Sequence, residues 1–396
     1  MTDAYIVGAI RSAGGRKNGK LSKVHPIDLG AKVIDALVEN VDCSIENIDD
    51  LIFGCVSQVG AQSSNIGRNV CLASVLGESV PGTTVDRQCG SGQQAIHFAA
   101  QAVMSGTQDV VIAGGVESMS QVPIGASIID GYKAEHGLPY GQRISERYPG
   151  VQFNQFAGAE MLVEKYQLSK EELNEFALES HLRAKRAVEE GRFDDQIVPI
   201  EVELEDGTLE LHRQDEGIRM DATIGAISGL QPMTEGGALS AANASQICDG
   251  ASAVMLANAD ACRKFGLKPM AKVIAMSVIG SDPVIMLEGP IPATKKVLEK
   301  ANMDLNDIDL FEVNEAFGSV PLAWAKALGA DKQKLNVNGG AQALGHPLGG
   351  TGAKLMTTLI HELHRSGKRY GLLAICEGGG TANATIVERL DSVMED

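Results

Sequence analysis

Shifted by 260 residues against itself, the chain meets its own pattern twice in one register. IENIDDLIFG (45–54) falls on LNDIDLFEVN (305–314), with Ile48 on Ile308 and Asp49 on Asp309. The same offset lays Gly90-Ser91-Gly92 on Gly350-Thr351-Gly352, and each triplet opens a run of helix formers. Two patches sharing one offset point to a duplicated unit, so the chain reads as two similar α/β halves.

The rest of the sequence fills in those halves. Glycines cluster beside apolar runs in DVVIAGGVES (109–118), NVNGGAQALGHPLGGTG (336–352) and GLLAICEGGGTA (371–382), the pattern of strand-to-helix turns. Amphipathic stretches at 27–40, 292–302 and 352–366 supply the helices between strands, and the alternation predicts a largely buried α/β sheet. Residues 119–244 fit neither half and read as an insertion. Within it, Ser169 and Glu172 form a capping box that starts a helix ending at Gly191, and Asp206-Gly207 sits between two alternating runs as the turn of a β-hairpin. The expected division is therefore 1–118 plus 245–268 for the first half, 119–244 for the insertion, and 269–396 for the second half. An insertion placed between two strands of the first half is expected to form a lid or wall over a site.

Charge and cysteine content narrow the function classes. Thirty-four Lys+Arg against 51 Asp+Glu give a net charge of -17, with no basic block, which argues against nucleic-acid and anionic membrane partners. Seven cysteines without a C-x-x-C pair suggest reduced thiols and no zinc framework, so no metal is expected. The start MTDAYIVGAIRSAGG lacks a basic segment followed by an apolar core, and no run of 18 apolar residues occurs. A cytoplasmic enzyme is the expectation.

Candidate chemistry gathers at the glycine turns. Cys89 precedes Gly90-Ser91-Gly92 at the start of a helix, where free N–H groups and the helix dipole favour a thiolate, and where backbone amides can support an oxyanion. Against this stands the commoner fate of a free cysteine, a small buried hydrophobe. Among eight histidines, His346 is the candidate base, because Pro347 and the flanking glycines hold it on a loop. His136, His181, His212 and His361 read as solvated or structural. Cys376 closes the apolar run YGLLAI ahead of three glycines, at the carboxyl edge where α/β sheets place reactive groups. Asn314 ends another apolar run, and on its own reads as a turn residue. Cysteines 43, 55, 71, 248 and 262 lack such a setting and are assigned no chemistry.

With those residues in place, the chain resembles the thiolase family of acyl-CoA C-acyltransferases along nearly its whole length. The motifs that carry the resemblance are QCGSGQQA, AGGVESMS, NASQICDG, NEAF, NVNGGAQALGHPLGGTGA and CEGGG. The resemblance implies an αβαβα layered sandwich of two repeated α/β halves with an inserted loop domain, assembled as a homodimer or homotetramer. It implies that Cys89 is the acylated nucleophile, His346 its activating base and Cys376 the acid/base at the α-carbon of acetyl-CoA. Asn314 would hold a water that forms one oxyanion hole with His346, and the N–H groups of Cys89 and Gly378 would form the other. Ser245 and Arg219 match positions that contact coenzyme A. Coenzyme A and acyl-CoA enter as substrates, with no permanently bound cofactor. The implied reaction is thiolysis of a 3-oxoacyl-CoA with release of acetyl-CoA, or the reverse Claisen condensation, in fatty-acid or related acyl-CoA degradation.

Two departures from the family pattern bear on specificity. Asn154, Gln155 and Phe156 stand where short-chain acetoacetyl-CoA thiolases carry His-Met-Gly, so the resemblance points to larger or branched acyl groups, steroid side chains among them, with a short-chain acetoacetyl-CoA thiolase of biosynthetic role as the alternative. Glu377 puts a carboxylate beside Cys376, either raising that thiol's pKa by like-charge repulsion or pointing to solvent. Three rival readings fit less of the sequence. A condensing ketosynthase would have His or Asn in place of Cys376, a cysteine hydrolase leaves Asn314 and Cys376 idle, and a scaffold would have lost one of the four residues.

Overall fold

The computed structural model describes residues 2–204 and 206–391; Met1, Glu205 and residues 392–396, with the outer ends of the ranges 1–118 and 269–396, lie outside them. The first half contributes strands β1 (Ala4–Ser12), β2 (Asp50–Gly54), β3 (Gly82–Val85), β4 (Val110–Ser118) and β5 (Cys248–Asn258). The second contributes β6 (Ala271–Gly280), β7 (Leu310–Val313), β8 (Tyr370–Glu377) and β9 (Thr381–Arg389). They lie side by side in the order β7-β8-β9-β6-β1-β5-β4-β2-β3. Read outward from the seam between β1 and β6, each half repeats the same sequence of neighbours. β2 pairs with β4, and β7 with β8, in parallel, and the antiparallel strands β5 and β9 stand next to them. The seam itself is narrow, pairing only Tyr5 with Lys272 and Ile6 with Ala271.

The 260-residue offset survives as atomic detail. Asp49 Oδ2 accepts the N–H groups of Asp109 and Val110 at 2.6 and 3.0 Å, and Asp309 Oδ2 accepts those of Arg369 and Tyr370 at 2.9 and 3.0 Å. Helix α1 (Pro26–Val41) ends at Asp42 with φ 55°, and its counterpart, the helix Pro290–Ala301, ends at Asn302 with φ 52°. Both begin on proline, whose missing N–H costs nothing in the first turn.

Five layers result. α1 and α2 (Ile66–Ala73) cover one face of the first-half strands, with Leu29, Val33, Leu37 and Val70 packed on Leu51 and Phe53. In the middle lie α3 (Ser91–Ser105) and the helix Thr351–Ser366, which bury apolar side chains against both sets of strands. A helix apolar enough to be enclosed all round belongs in such a layer. The helices Pro290–Ala301 and Ser319–Leu328 close the far side, where Trp324 is fully buried, stacks edge-on to Phe311 and donates its indole N–H to Thr294. In chain order these last three helices are α4 (Pro290–Ala301), α5 (Ser319–Leu328) and α6 (Thr351–Ser366). The middle helices cross where glycine lets their backbones touch: a Cβ on Gly352 would lie 1.9 Å from Gln93 N.

Between β4 and β5 the chain leaves the sheet, returning to it briefly where Ile197 and Val198 pair in parallel with Arg11 and Ser12 of β1. The capping box of Ser169 and Glu172 starts the helix Lys170–Glu189, with Gly191 beyond its end at φ 68°. The hairpin Ile200–Glu203/Leu209–His212 forms as expected, but Ile200 and Val202 pack into the first half's outer core, away from any site. The segment is pinned by Asp215, which takes a two-pronged ion pair from Arg11 at 2.9 and 3.0 Å with both side chains fully buried. Lys354 of α6 stands 3.6 Å from the same carboxylate.

Candidate active site

The short link 86–90 delivers β3 into α3, and Cys89 sits in it one residue before the N-cap Gly90. Gln88, immediately upstream, is held at φ 49°, a left-handed conformation that non-glycine residues seldom adopt and that costs on the order of 1 kcal/mol or more. The turn is fastened by Ser91, whose Oγ accepts the Arg87 N–H at 2.9 Å and donates to the Gln88 carbonyl at 2.6 Å. The sulfur is thereby presented at the amino end of α3, partly exposed. The N–H groups of Cys89 and Gly378 meet no hydrogen-bond acceptor among the described residues.

His346 is almost wholly buried, on the loop before α6. Its Nδ1 faces Thr351 Oγ1, which also lies 2.9 Å from the Pro347 carbonyl. A carbonyl can only accept, so the threonine hydroxyl donates to Pro347 and receives its bond from Nδ1–H. That leaves the lone pair on Nε2. The Nε2 atom accepts from Asn314 Nδ2 at 3.3 Å. Burial, reinforced by the charge of Lys354, pushes the imidazole down to about 3, so it is a neutral base at physiological pH. Asn314 directly follows β7, its N–H bonded to the Ala374 carbonyl of β8, and its Oδ1 is buried without a partner among the described residues.

Cys376 is fully buried near the end of β8, paired across the hairpin with Ala382. Burial raises its pKa well above the usual thiol range, and the nearby Cys89 and Glu377 add to the rise. Cys89 is likewise pushed up to about 12, by burial first and by Glu377 second. The resting thiolate expected from the helix start is therefore corrected: the dipole of α3 is outweighed by desolvation, and Cys89 rests as a thiol. Glu377 does not point to solvent either, being fully buried.

Three cavities surround these groups. One of 130 Å³ is bordered by Cys89, His346, Ser245, Gln155 and Phe156, which places the imidazole, the Cys89 thiol and Ser245 around one space. A second, of 540 Å³, opens from Cys89 and Gly378 towards Ile124, Ile128, Tyr140, Tyr148 and Phe153. The insertion thus supplies the expected wall. Arg219, exposed, borders a third cavity of 330 Å³ with His181, Thr223 and Gln342. Gln246 borders both the first and the third, so the two lie on either side of one side chain. Cys376 borders none of the three.

Several supporting residues stand outside the set of candidates that the sequence singles out. Glu117, fully buried at the end of β4, accepts from the N–H groups of Val56, Ser57 and Gly349 and from Gln62, clamping the loop after His346 to the loop after β2. Lys354 donates to the carbonyls of Leu344 and Gly345, just before His346. His181, read as merely structural, accepts the Arg219 N–H through Nδ1 and lines Arg219's cavity. A charged residue inside an otherwise apolar strand or helix is the one sequence mark that Glu117 and Lys354 carry.

Comparison with known proteins fits this geometry. The family model for the thiolase N-terminal domain matches residues 4–260, and that for the thiolase C-terminal domain matches residues 267–389. A steroid 3-ketoacyl-CoA thiolase of Mycobacterium tuberculosis is 50% identical over 392 residues, covering 98% of this chain and 95% of that protein. A 3-ketoacyl-CoA thiolase of Psychrobacter cryohalolentis is 41% identical over 393 residues, covering 98% of each. Among solved structures, the Bacillus anthracis acetyl-CoA acetyltransferase superposes with a TM-score of 0.90 at 38% identity, covering 98% of this chain and 99% of that one. Human mitochondrial 3-ketoacyl-CoA thiolase does so at 0.89 and 34%, with the same coverage.

Proposed function

The chain belongs to the thiolase family, and on that premise we propose how its own residues carry the reaction. The protein transfers an acyl group between a 3-oxoacyl-CoA and coenzyme A, in the degradative sense of its 3-ketoacyl-CoA thiolase relatives. The observation that carries the assignment of roles is the shared cavity, in which the neutral imidazole and the Cys89 thiol border one space.

Nε2 of His346 takes the proton from Cys89 as the sulfur attacks the 3-oxo carbon. The N–H groups of Cys89 and Gly378 receive the developing oxyanion, each such donor being worth about 10²–10³ in rate. The C2–C3 bond then breaks, and the departing acetyl-CoA carbanion takes a proton from Cys376. A second coenzyme A attacks the Cys89 thioester through its own sulfur. The imidazolium returns its first proton to the Cys376 thiolate, and the freed Nε2 takes the coenzyme A proton and passes it to the Cys89 sulfur as that leaves, so all three groups end as they began. Asn314, bonded to Nε2, orients the imidazole and offers its amide to the second oxyanion. Ser245 beside Cys89 and Arg219 at the outer cavity contact coenzyme A, the cation suiting its phosphates.

The acyl group fits the 540 Å³ cavity, whose aromatic and branched lining suits a large or ring-bearing chain better than acetoacetyl-CoA. The name of the mycobacterial relative supports that choice. A short-chain biosynthetic enzyme is the alternative. Thiolysis measured along a ladder of 3-oxoacyl-CoA substrates decides between them: kcat/KM should rise from four carbons towards bulky acyl groups, and a maximum at four carbons overturns the assignment. A cytoplasmic place and fatty-acid or related degradation belong to the same proposal. So does an assembly of two or four chains, for which β3, one of the two edge strands, offers a pairing edge.

A further inference from the structure

Glu377 has no task in the scheme above, yet the fold places it with care. Side chains alternate along β8, so Cys376 turns towards the outer core of the second half and Glu377 towards the layer of α3. Its carboxyl group lies against Gly90: a Cβ there would sit 1.9 Å from Glu377 Oε1. Gly90 is the residue after the nucleophile and the N-cap of α3. Glu117, another buried carboxylate, is well supplied with donors, taking three backbone N–H groups and one amide, whereas Glu312 Oε2 is buried without a partner among the described residues, as Glu377 is. Neither oxygen of Glu377 has a hydrogen bond of ordinary geometry among the described residues, though the Thr381 side chain stands by it as a donor that favours the charged form. The adjacent Asn383 amide nitrogen is already given to the Gly90 carbonyl at 3.1 Å. Leaving a buried carboxyl unpartnered costs free energy that the fold has not avoided.

We propose that Glu377 is a positioning residue for the nucleophile, a carboxyl group lodged at the amino end of α3 whose own protonation governs how readily Cys89 becomes a thiolate. Burial pushes it up to about 8, so near neutral pH it rests as the uncharged acid. The titratable or charged groups that act on it or on the two thiols are few: Asp86 and Arg87 of the link, Cys89 itself, Cys376 on its own strand, and Glu117 behind Cys89. While Glu377 is neutral it opposes a thiolate weakly; once ionised it opposes one strongly. As pH rises, each proton lost by the carboxyl makes the next, from sulfur, harder to lose.

The proposal rests on Cys89 being the acylated residue, but its test does not need turnover. Alkylation of Cys89 by iodoacetamide in the full chain, followed by mass spectrometry from pH 6 to 10, reads the thiolate fraction directly. The natural chain should show a rise with pH that flattens between about 7 and 9 and then resumes, the mark of two coupled titrations. Glu377→Gln, similar in shape and without charge, should give one unbroken rise and alkylate about tenfold faster at pH 9, one unit of pKa being a factor of ten. Glu377→Asp should keep the flattened profile. Superimposable profiles for the natural chain and a folded Glu377→Gln overturn the proposal. Should that variant fail to fold, an unbroken rise in the natural chain alone does the same. Failure of Cys89 to form an acyl-enzyme would overturn the catalytic scheme and leave these profiles standing.

Discussion

The amino ends of α3 and α6 lie 260 residues apart and share their backbone geometry. Each opens on a glycine N-cap, Gly90 with φ -89° and Gly350 with φ -84°. Each has a hydroxyl at the first helical position that donates back to a carbonyl of the preceding turn, Ser91 to Gln88 and Thr351 to Pro347. The chemistry hung on the two frames differs. The residue before the glycine is Cys89 at α3 and Gly349 at α6, and Gly349 offers only its N–H, spent on Glu117. Five residues before the hydroxyl, α3 has Asp86, bonded to the Gln88 N–H, whereas α6 has His346, bonded to Thr351 itself. A duplicated socket has thus been divided, one copy keeping Cys89 and the other His346. The glycine contact between the two helices brings the copies face to face.

Changes that strike one socket and spare its twin test this division. The largest effect is expected from Cys89→Ser, which should remove the acyl-enzyme seen by mass spectrometry and lower turnover on the order of 10⁴-fold. His346→Ala should cost about 10²–10⁴-fold in kcat, the usual worth of a general base, while the chain stays folded by circular dichroism. Thr351→Val should lower kcat about tenfold by releasing Nδ1, whereas Ser91→Ala should lower stability by about 1 kcal/mol, a typical capping loss, measured by urea unfolding. Equal kinetic losses from both would erase the distinction between the sockets. Because His346 is held down to about 3, it takes a proton only near that pH, so kcat/KM followed from pH 8 to 5 should show no inflection at 6.5. The smallest effects are expected where the halves are alike. Asp49→Ala and Asp309→Ala should each cost about 1 kcal/mol, and equally, since each removes a carboxylate that accepts two N–H groups.

Local signals carried the fold and the reactive side chains a long way. The repeat, the proline-led and capped helices and the glycine-flanked Cys89, His346 and Cys376 all depend on near neighbours in the chain, and all stand where such neighbours would put them. What escaped the sequence depends on encounters across it. Glu117 and Gly349 meet only after both halves fold, as do Lys354 and Asp215. The ionisation of Cys89 depends on the same kind of encounter. The helix start is local, but the burial and the Glu377 carboxyl that outweigh it arrive from the other half.

The seam between β1 and β6 has one more consequence. With only two residue pairs joining the sheets edge to edge, cohesion between the halves rests on α3 and α6, each of which packs on both sets of strands. Either half cut free would strip its own middle helix of one wall and bare that surface to water. The two family domains are therefore partners in a single melting unit, and heating should disperse them in one calorimetric transition.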